Sequence, residues 1–170
     1  LADRFPVLPI GGGDQGSVLA LRWSGFSIDG QDLGALFDLM RVESAHAADD
    51  ALARVGVPSW NFVFADVKGD IGYRAVGKIP RRFSPAPIGA QELGEDGSIG
   101  WEGARPWLTP DEMPHAFNPR RGMVVTANNR QWPTDAALAG GRAYAQGFRA
   151  FRIEELLSSR SEEHTSELQS

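Results

Sequence analysis

The sequence has no cysteine among its 170 residues, which excludes disulfides and thiolate metal sites but does not separate cytoplasm from periplasm. It is also poor in positive charge. Lys and Arg number 17 against 22 Asp and Glu, for a formal charge of −5, and no basic run exceeds the pairs Arg81-Arg82 and Arg120-Arg121. Nucleic acid is therefore not an expected partner. No apolar stretch approaches the roughly 18 residues that cross a bilayer, so no membrane span is expected. Position 1 is not Met, and no signal-peptide succession of charged, apolar and small residues is present. The chain reads as an internal piece of a longer protein.

What is there suits one core. Leu1 to Ile10, interrupted by Pro6 and Pro9, predicts an edge strand or extended entry segment. Gly11 to Gly16 has the glycine spacing of a dinucleotide fingerprint, yet that motif requires a helix next, and Ser17 to Trp23 reads as a strand. Asp29 is a plausible N-cap for a first helix whose Leu33, Leu36, Phe37 and Met40 fall at the spacing of one buried face. Ser44 can cap a second, with Ala48, Ala51, Leu52 and Val55 inward and Gly56 and Pro58 to stop it. His46 lies in its first turn and reads as a solvated or capping histidine, since no second ligand stands at metal spacing.

From Trp60 the period becomes two, with Phe62 and Phe64 on one face and Val63 and Ala65 on the other. The turn Asp66 to Asp70 then leads into Ile71–Val76, a hairpin partner. Asp66 and Asp70 have the spacing of a calcium loop, but Lys68 occupies the middle ligand position, so the turn reading prevails. Residues 80–100 form a Pro- and Gly-rich surface excursion, and Trp101, Trp107 and Trp132 stand around the following loops as packing groups or as walls for an apolar substrate. A last helix carries Phe148, Phe151, Ile153, Leu156 and Leu157 as its apolar residues.

The run Met123-Val124-Val125-Thr126 predicts a short strand delivering Asn128 and Asn129 to its C-terminal lip. A carboxamide has two N–H donors and no charge, so Asn128 can stabilise an oxyanion. On spacing alone the better reading is a turn, because Asn tolerates left-handed backbone. Arg149 and Arg152 ride on the last helix; a solvated arginine is the default reading there, although either could reach back to this lip.

The blocks Pro58 to Arg74, Gly77 to Arg82, Trp101-Glu102-Gly103, Pro110 to His115, Asn118-Pro119, Thr126 to Arg130 and Phe148 to Ile153 together resemble the penicillin acylase family. They occur in one consistent order over nearly all of residues 1–159. Residues 160–170 resemble instead the translation of a sequencing-library adapter and are set apart as a non-native tail.

The resemblance implies an α+β fold, an incomplete portion of the αββα four-layer sandwich of N-terminal-nucleophile hydrolases. It implies a β chain freed by autoproteolysis from an α chain, with which it stays paired in the periplasm or outside the cell. The substrate class is a small-molecule acyl amide, such as a penicillin, a cephalosporin, an N-acyl-homoserine lactone or an acylated peptide. A new N-terminal Ser attacks the amide carbonyl with its own α-amine as base. That Ser is expected outside this segment, so the chain alone is expected to be inactive. Asn128 matches the family's oxyanion-binding Asn, which overturns the preference for a simple turn. Arg152 matches a supporting arginine, and Asp135 falls near an aspartate that binds calcium. Two other readings remain open, a non-catalytic ligand-binding module with Trp-rich loops and an inactive truncated piece.

Overall fold

A computed structural model describes residues 8–12, 18–21, 23–27, 29–80, 107–131 and 145–167. Strand β1 (Leu8–Gly12) pairs antiparallel with β2 (Val18–Leu21), its register shifting between Pro9 and Gly11. A strand thus stands where a dinucleotide site would need a helix. A 3-10 turn at Ser24–Ser27 leads to helix α1 (Gly30–Leu39), followed by α2 (Ala45–Leu52), β3 (Trp60–Ala65), β4 (Ile71–Val76), β5 (His115–Phe117) and α3 (Phe148–Glu167).

Both helix starts carry the expected caps. Asp29 Oδ1 accepts from the backbone N–H groups of Gln31 and Asp32 at 2.9 and 3.1 Å, and Asp32 Oδ2 returns the bond to Asp29 N–H at 3.0 Å, closing a capping box. These donors, that of Asp32 foremost, hold the Asp29 carboxyl below its ordinary pKa. Ser44 Oγ accepts from Ala47 N–H at 3.1 Å. Helix α2 stops at Leu52, earlier than the Gly56 and Pro58 signal, and Val55 reaches the core from the following turn.

The buried face of α1 is not the expected one. Leu33, Phe37 and Met40 are 52%, 60% and 81% exposed, whereas Asp32 and Ala35 are buried and Leu36 and Leu39 pack against the core. Apolar residues encircle more than half of this helix, so spacing could not fix its rotation. Asp32 sets it. Its carboxylate takes Lys78 Nζ at 2.9 Å, an ion pair that makes burial of the aspartate tolerable.

Strands β3, β4 and β5 form an antiparallel sheet in that order, with Phe62 opposite Arg74 and Phe64 opposite Gly72. A Cβ on Gly72 would meet the Phe64 ring at 2.2 Å, so only glycine lets this ring lie across the sheet. One sheet face packs Phe62, Phe64 and Val76 against Ala35, Leu52 and Val55 of the helical layer. The other packs Tyr73 and Ala75 against Met113, Leu108, Ala116 and Val124. Strand β4 is buried on both faces, while Val63 on edge strand β3 is half exposed.

Two polar devices lock these layers. Asp66 Oδ1 accepts from Lys68 and Asp70 N–H at 2.9 and 3.2 Å, closing the β3–β4 turn, and its Oδ2 accepts from Ala45 N–H at the start of α2 at 3.0 Å. Backbone donors therefore occupy the oxygens that a calcium loop would have needed. Ala45 N–H is the largest influence holding the Asp66 carboxyl below its ordinary pKa. On β4, the buried Arg74 binds Asp49 of α2 through two bonds of 2.6 and 2.8 Å and donates to Pro110 O at 3.1 Å.

Arg74→Ala leaves Asp49 without its partner and is expected to destabilise the protein by about 3–5 kcal/mol in denaturant titration. Asp66→Ala is expected to lower the thermal midpoint at neutral pH. Because the folded-state pKa lies below the unfolded one, the Asp66 contribution is whole above the unfolded value of about 4 and is lost as pH falls through the folded value. The gap between wild type and Asp66→Ala should therefore close in acid, as melting curves across pH would register.

Candidate functional site

The segment leading to Asn128 begins at the end of β5. Asn118 has left-handed backbone (φ 46°), and its Oδ1 accepts from Ile71 N–H at 2.9 Å while its Nδ2 donates to Asp70 at 2.7 Å. The β3–β4 turn thus anchors the loop that follows. A turn closed by Gly122 N–H onto Pro119 O at 2.8 Å reverses the chain, with Gly122 at φ 65°. Residues 123–126 form no ladder, contrary to the strand expected there. The run is fixed by burial of Val125, at 5% exposed, which supplies the hold that strand pairing would have given.

Asn128 then adopts left-handed backbone at φ 63°. The left-handed turn that spacing favours is thus present, and Asn128 is exposed. Ala145 N–H donates to Asn128 O at 2.8 Å, bringing the far side of the loop back to this point. Asn129 Oδ1 accepts from Ala127 N–H at 3.0 Å and from Gln131 Nε2 at 3.1 Å. Thr126 Oγ1 is buried with no hydrogen-bond partner among the described residues.

Helix α3 supplies the cation. Arg149 Nη2 donates to Ala127 O at 2.7 Å and to Asn128 Oδ1 at 3.0 Å. A guanidinium has donors only, so the atom facing it must be the carboxamide oxygen, which turns Asn128 Nδ2 away. That nitrogen makes no hydrogen bond among the described residues. The arrangement presents two N–H donors with a cation behind them, chemistry suited to charge developing on a carbonyl oxygen.

Arg152 is placed elsewhere, its Nη1 on Glu155 at 2.6 Å on the exposed side of α3. Arg149 and Arg152 are three residues apart on one helix, so spacing left both in reach and the contacts separate them. A second tie, Arg121 to Glu154 at 2.7 Å, joins the loop to α3. It is half exposed and contributes about 1 kcal/mol or less. Asp135, Trp101 and Trp132 lie outside the described residues, and no group of three or more His, Asp or Glu converges on a metal site among the described ones.

His46 stays exposed and packs on Phe117 with ring centroids 4.2 Å apart and ring planes inclined by 54°. Trp107 is bridged to Pro80 and lines a cleft of about 230 Å³ with Asp29, Asp32, Arg74 and Lys78, a cleft whose walls do not include Asn128. Sequence reading had no signal for the Asp32–Lys78 pair, whose partners are distant in sequence.

Comparison with known proteins places these features in a lineage. The sequence profile described as penicillin amidase matches residues 5–170. The acyl-homoserine lactone acylase QuiP of Pseudomonas fluorescens (strain Pf0-1) is 32% identical over 83% of this chain and 16% of its own length. Penicillin acylase 2 proenzyme of Pseudomonas sp. (strain SE83) is 30% identical over 72% of this chain, again 16% of its own length. A thermostable penicillin G acylase from Alcaligenes faecalis superposes with a TM-score of 0.58 at 26% identity, covering 78% of this chain and 23% of that one. The α+β elements described above are accordingly an incomplete portion of that αββα fold. The chain spans about a sixth of the acylase relatives' length, and it belongs to the penicillin amidase family.

Proposed function

We propose that the full-length protein carrying this chain is an acylase that hydrolyses amide-linked acyl groups of small molecules, and that Asn128 supplies one donor of its oxyanion hole. The observation that carries this reading is the Arg149–Asn128 contact, which turns the carboxamide N–H groups outward. Family membership supports the reaction class, and the names of the relatives support acyl-homoserine lactones and penicillins as the first substrates to try.

In the proposed reaction a Ser freed at a new N-terminus, outside this chain, attacks the amide carbonyl while its α-amine takes the hydroxyl proton. The carbonyl oxygen becomes an anion, and Asn128 Nδ2 donates to it. Arg149 acts as a positioning residue, holding Oδ1 so that neither N–H is spent on the described residues. Collapse expels the amine, which takes up the proton held by the α-amine, and a water that gives a proton to the same α-amine then attacks the acyl-Ser and releases the acid, returning that proton to the Ser oxygen. Within the same reading Asp135 is one oxygen ligand of a calcium ion. An α chain pairs with the β chain, and the mature protein acts in the periplasm or outside the cell. No described helix is long and apolar enough to cross a membrane, which is compatible with that placement.

The test uses the processed full-length protein with N-acyl-homoserine lactones of several chain lengths and with penicillins. Asn128→Ala should lower kcat by about 10²–10³-fold, equivalent to about 2.7–4 kcal/mol, with KM little changed. Wild-type turnover by this variant would exclude the assigned role. Arg149→Ala should lower kcat by roughly 10–100-fold, as losses of supporting contacts commonly do, whereas Arg152→Ala should leave it within about twofold. The 170-residue chain alone should release no acyl product from either substrate class, as chromatography of the reaction mixture would establish.

A further inference from the structure

We infer that Asn129 is a second positioning residue, a carboxamide latch that sets the backbone of Asn128 while Arg149 sets its side chain. The inference rests on the oxyanion role proposed above for Asn128. Left-handed backbone is accessible to Asn, but it is held only where the surroundings over-determine it. Ala127 N–H, on one side of Asn128, donates to the side-chain oxygen of Asn129 on the other at 3.0 Å, so the latch closes across the residue whose direction matters.

A backbone N–H cannot accept, so the atom of Asn129 facing Ala127 must be Oδ1. Gln131 Nε2 donates to the same oxygen at 3.1 Å, which uses its second lone pair and fixes the orientation of the amide. Arg149 does not duplicate this role. Its bond to Asn128 Oδ1 determines which way the Asn128 amide is flipped, and its bond to Ala127 O holds the carbonyl of the peptide before Asn128, whereas the Ala127 N–H is held by Asn129. Without the latch, Ala127 N–H loses its acceptor and the turn can relax toward negative φ, carrying Nδ2 away from the oxyanion position. A displacement near 1 Å can cost about 10²-fold in rate.

The experiment compares Asn128→Ala, Asn129→Leu, Asn129→Asp and Gln131→Ala in the processed full-length protein, counting competent molecules by titration of the nucleophile with a sulfonyl fluoride. Asn129→Leu should lose roughly tenfold or more in kcat per titrated site with KM within about twofold, since the donor it misplaces acts mainly in the transition state. Asn129→Asp keeps an acceptor for Ala127 N–H and should restore most of that loss, and Gln131→Ala should show a smaller loss of the same kind. Unchanged kcat in Asn129→Leu, or an equal loss in Asn129→Asp, overturns the latch. If Asn129→Leu yields no titratable enzyme, hydrogen exchange in the wild type decides: protection of the Ala127 amide supports the latch, and exchange at the rate of an open amide overturns it. Full turnover by Asn128→Ala would instead sink the oxyanion reading, whereas an inactive Asn128→Ala beside a fully active Asn129→Leu would sink the latch alone.

Discussion

One carboxylate, that of Asp66, sets the frame on which the rest is hung. It closes the β3–β4 turn with one oxygen and caps α2 with the other, so the hairpin and the helical layer cannot be positioned independently. An acceptor used by several backbone donors is worth most where those donors would otherwise be desolvated and unpaired. The bond extends the hold of the turn to the opposite layer. At the far end of the same turn, Asp70 passes it to Asn118, and Asn118 delivers the loop that bears Asn128.

The resulting hierarchy has a rigid part and a lightly held part. Arg74, with Asp49 on one side and Pro110 O on the other, ties α2, β4 and the loop before β5 through a nearly buried guanidinium. The Asn128 turn, by contrast, is exposed and held among the described residues by one hydrogen bond to Asn129, one from Ala145 and two from Arg149. Helix α3 packs chiefly through Ala150 and reaches the loop through Arg121 and Arg149, leaving Phe148 and Phe151 more than two-thirds exposed. Functional groups are often carried on loops held by a stiff scaffold, and the proposed role of Asn128 fits that division.

Much of the frame was legible in the sequence because its causes are local. Asp29 and Ser44 announce their helices by placing a short acceptor before an apolar period, and Phe62 and Phe64 announce their strand by alternation. Legibility failed where a distant partner decides. Asp32 is buried because Lys78, 46 residues away, reaches it, and that pair turned α1 so that Leu33, Phe37 and Met40 face outward. The Met123–Thr126 run is β-branched enough for a strand, but a ladder needs a neighbour, and burial of Val125 holds it instead. The left-handed turn at Asn128 was legible, since Asn tolerates that backbone better than most residues. That Arg149 contacts this turn while Arg152 pairs with Glu155 was not, because one helical turn separates them and only the path of the chain distinguishes the two.

The Asn128–Arg149 contact also has a consequence for how such a site ages. Deamidation would turn the Asn128 carboxamide into a carboxylate, and Arg149 would grip that carboxylate more strongly than it grips the neutral oxygen. Both outward N–H donors would be gone, while the fold around the turn would keep its contacts. A preparation damaged in this way would melt like fresh protein and bind its supporting arginine more tightly. Its mass would give it away, and so, under the oxyanion role proposed for Asn128, would its lost turnover.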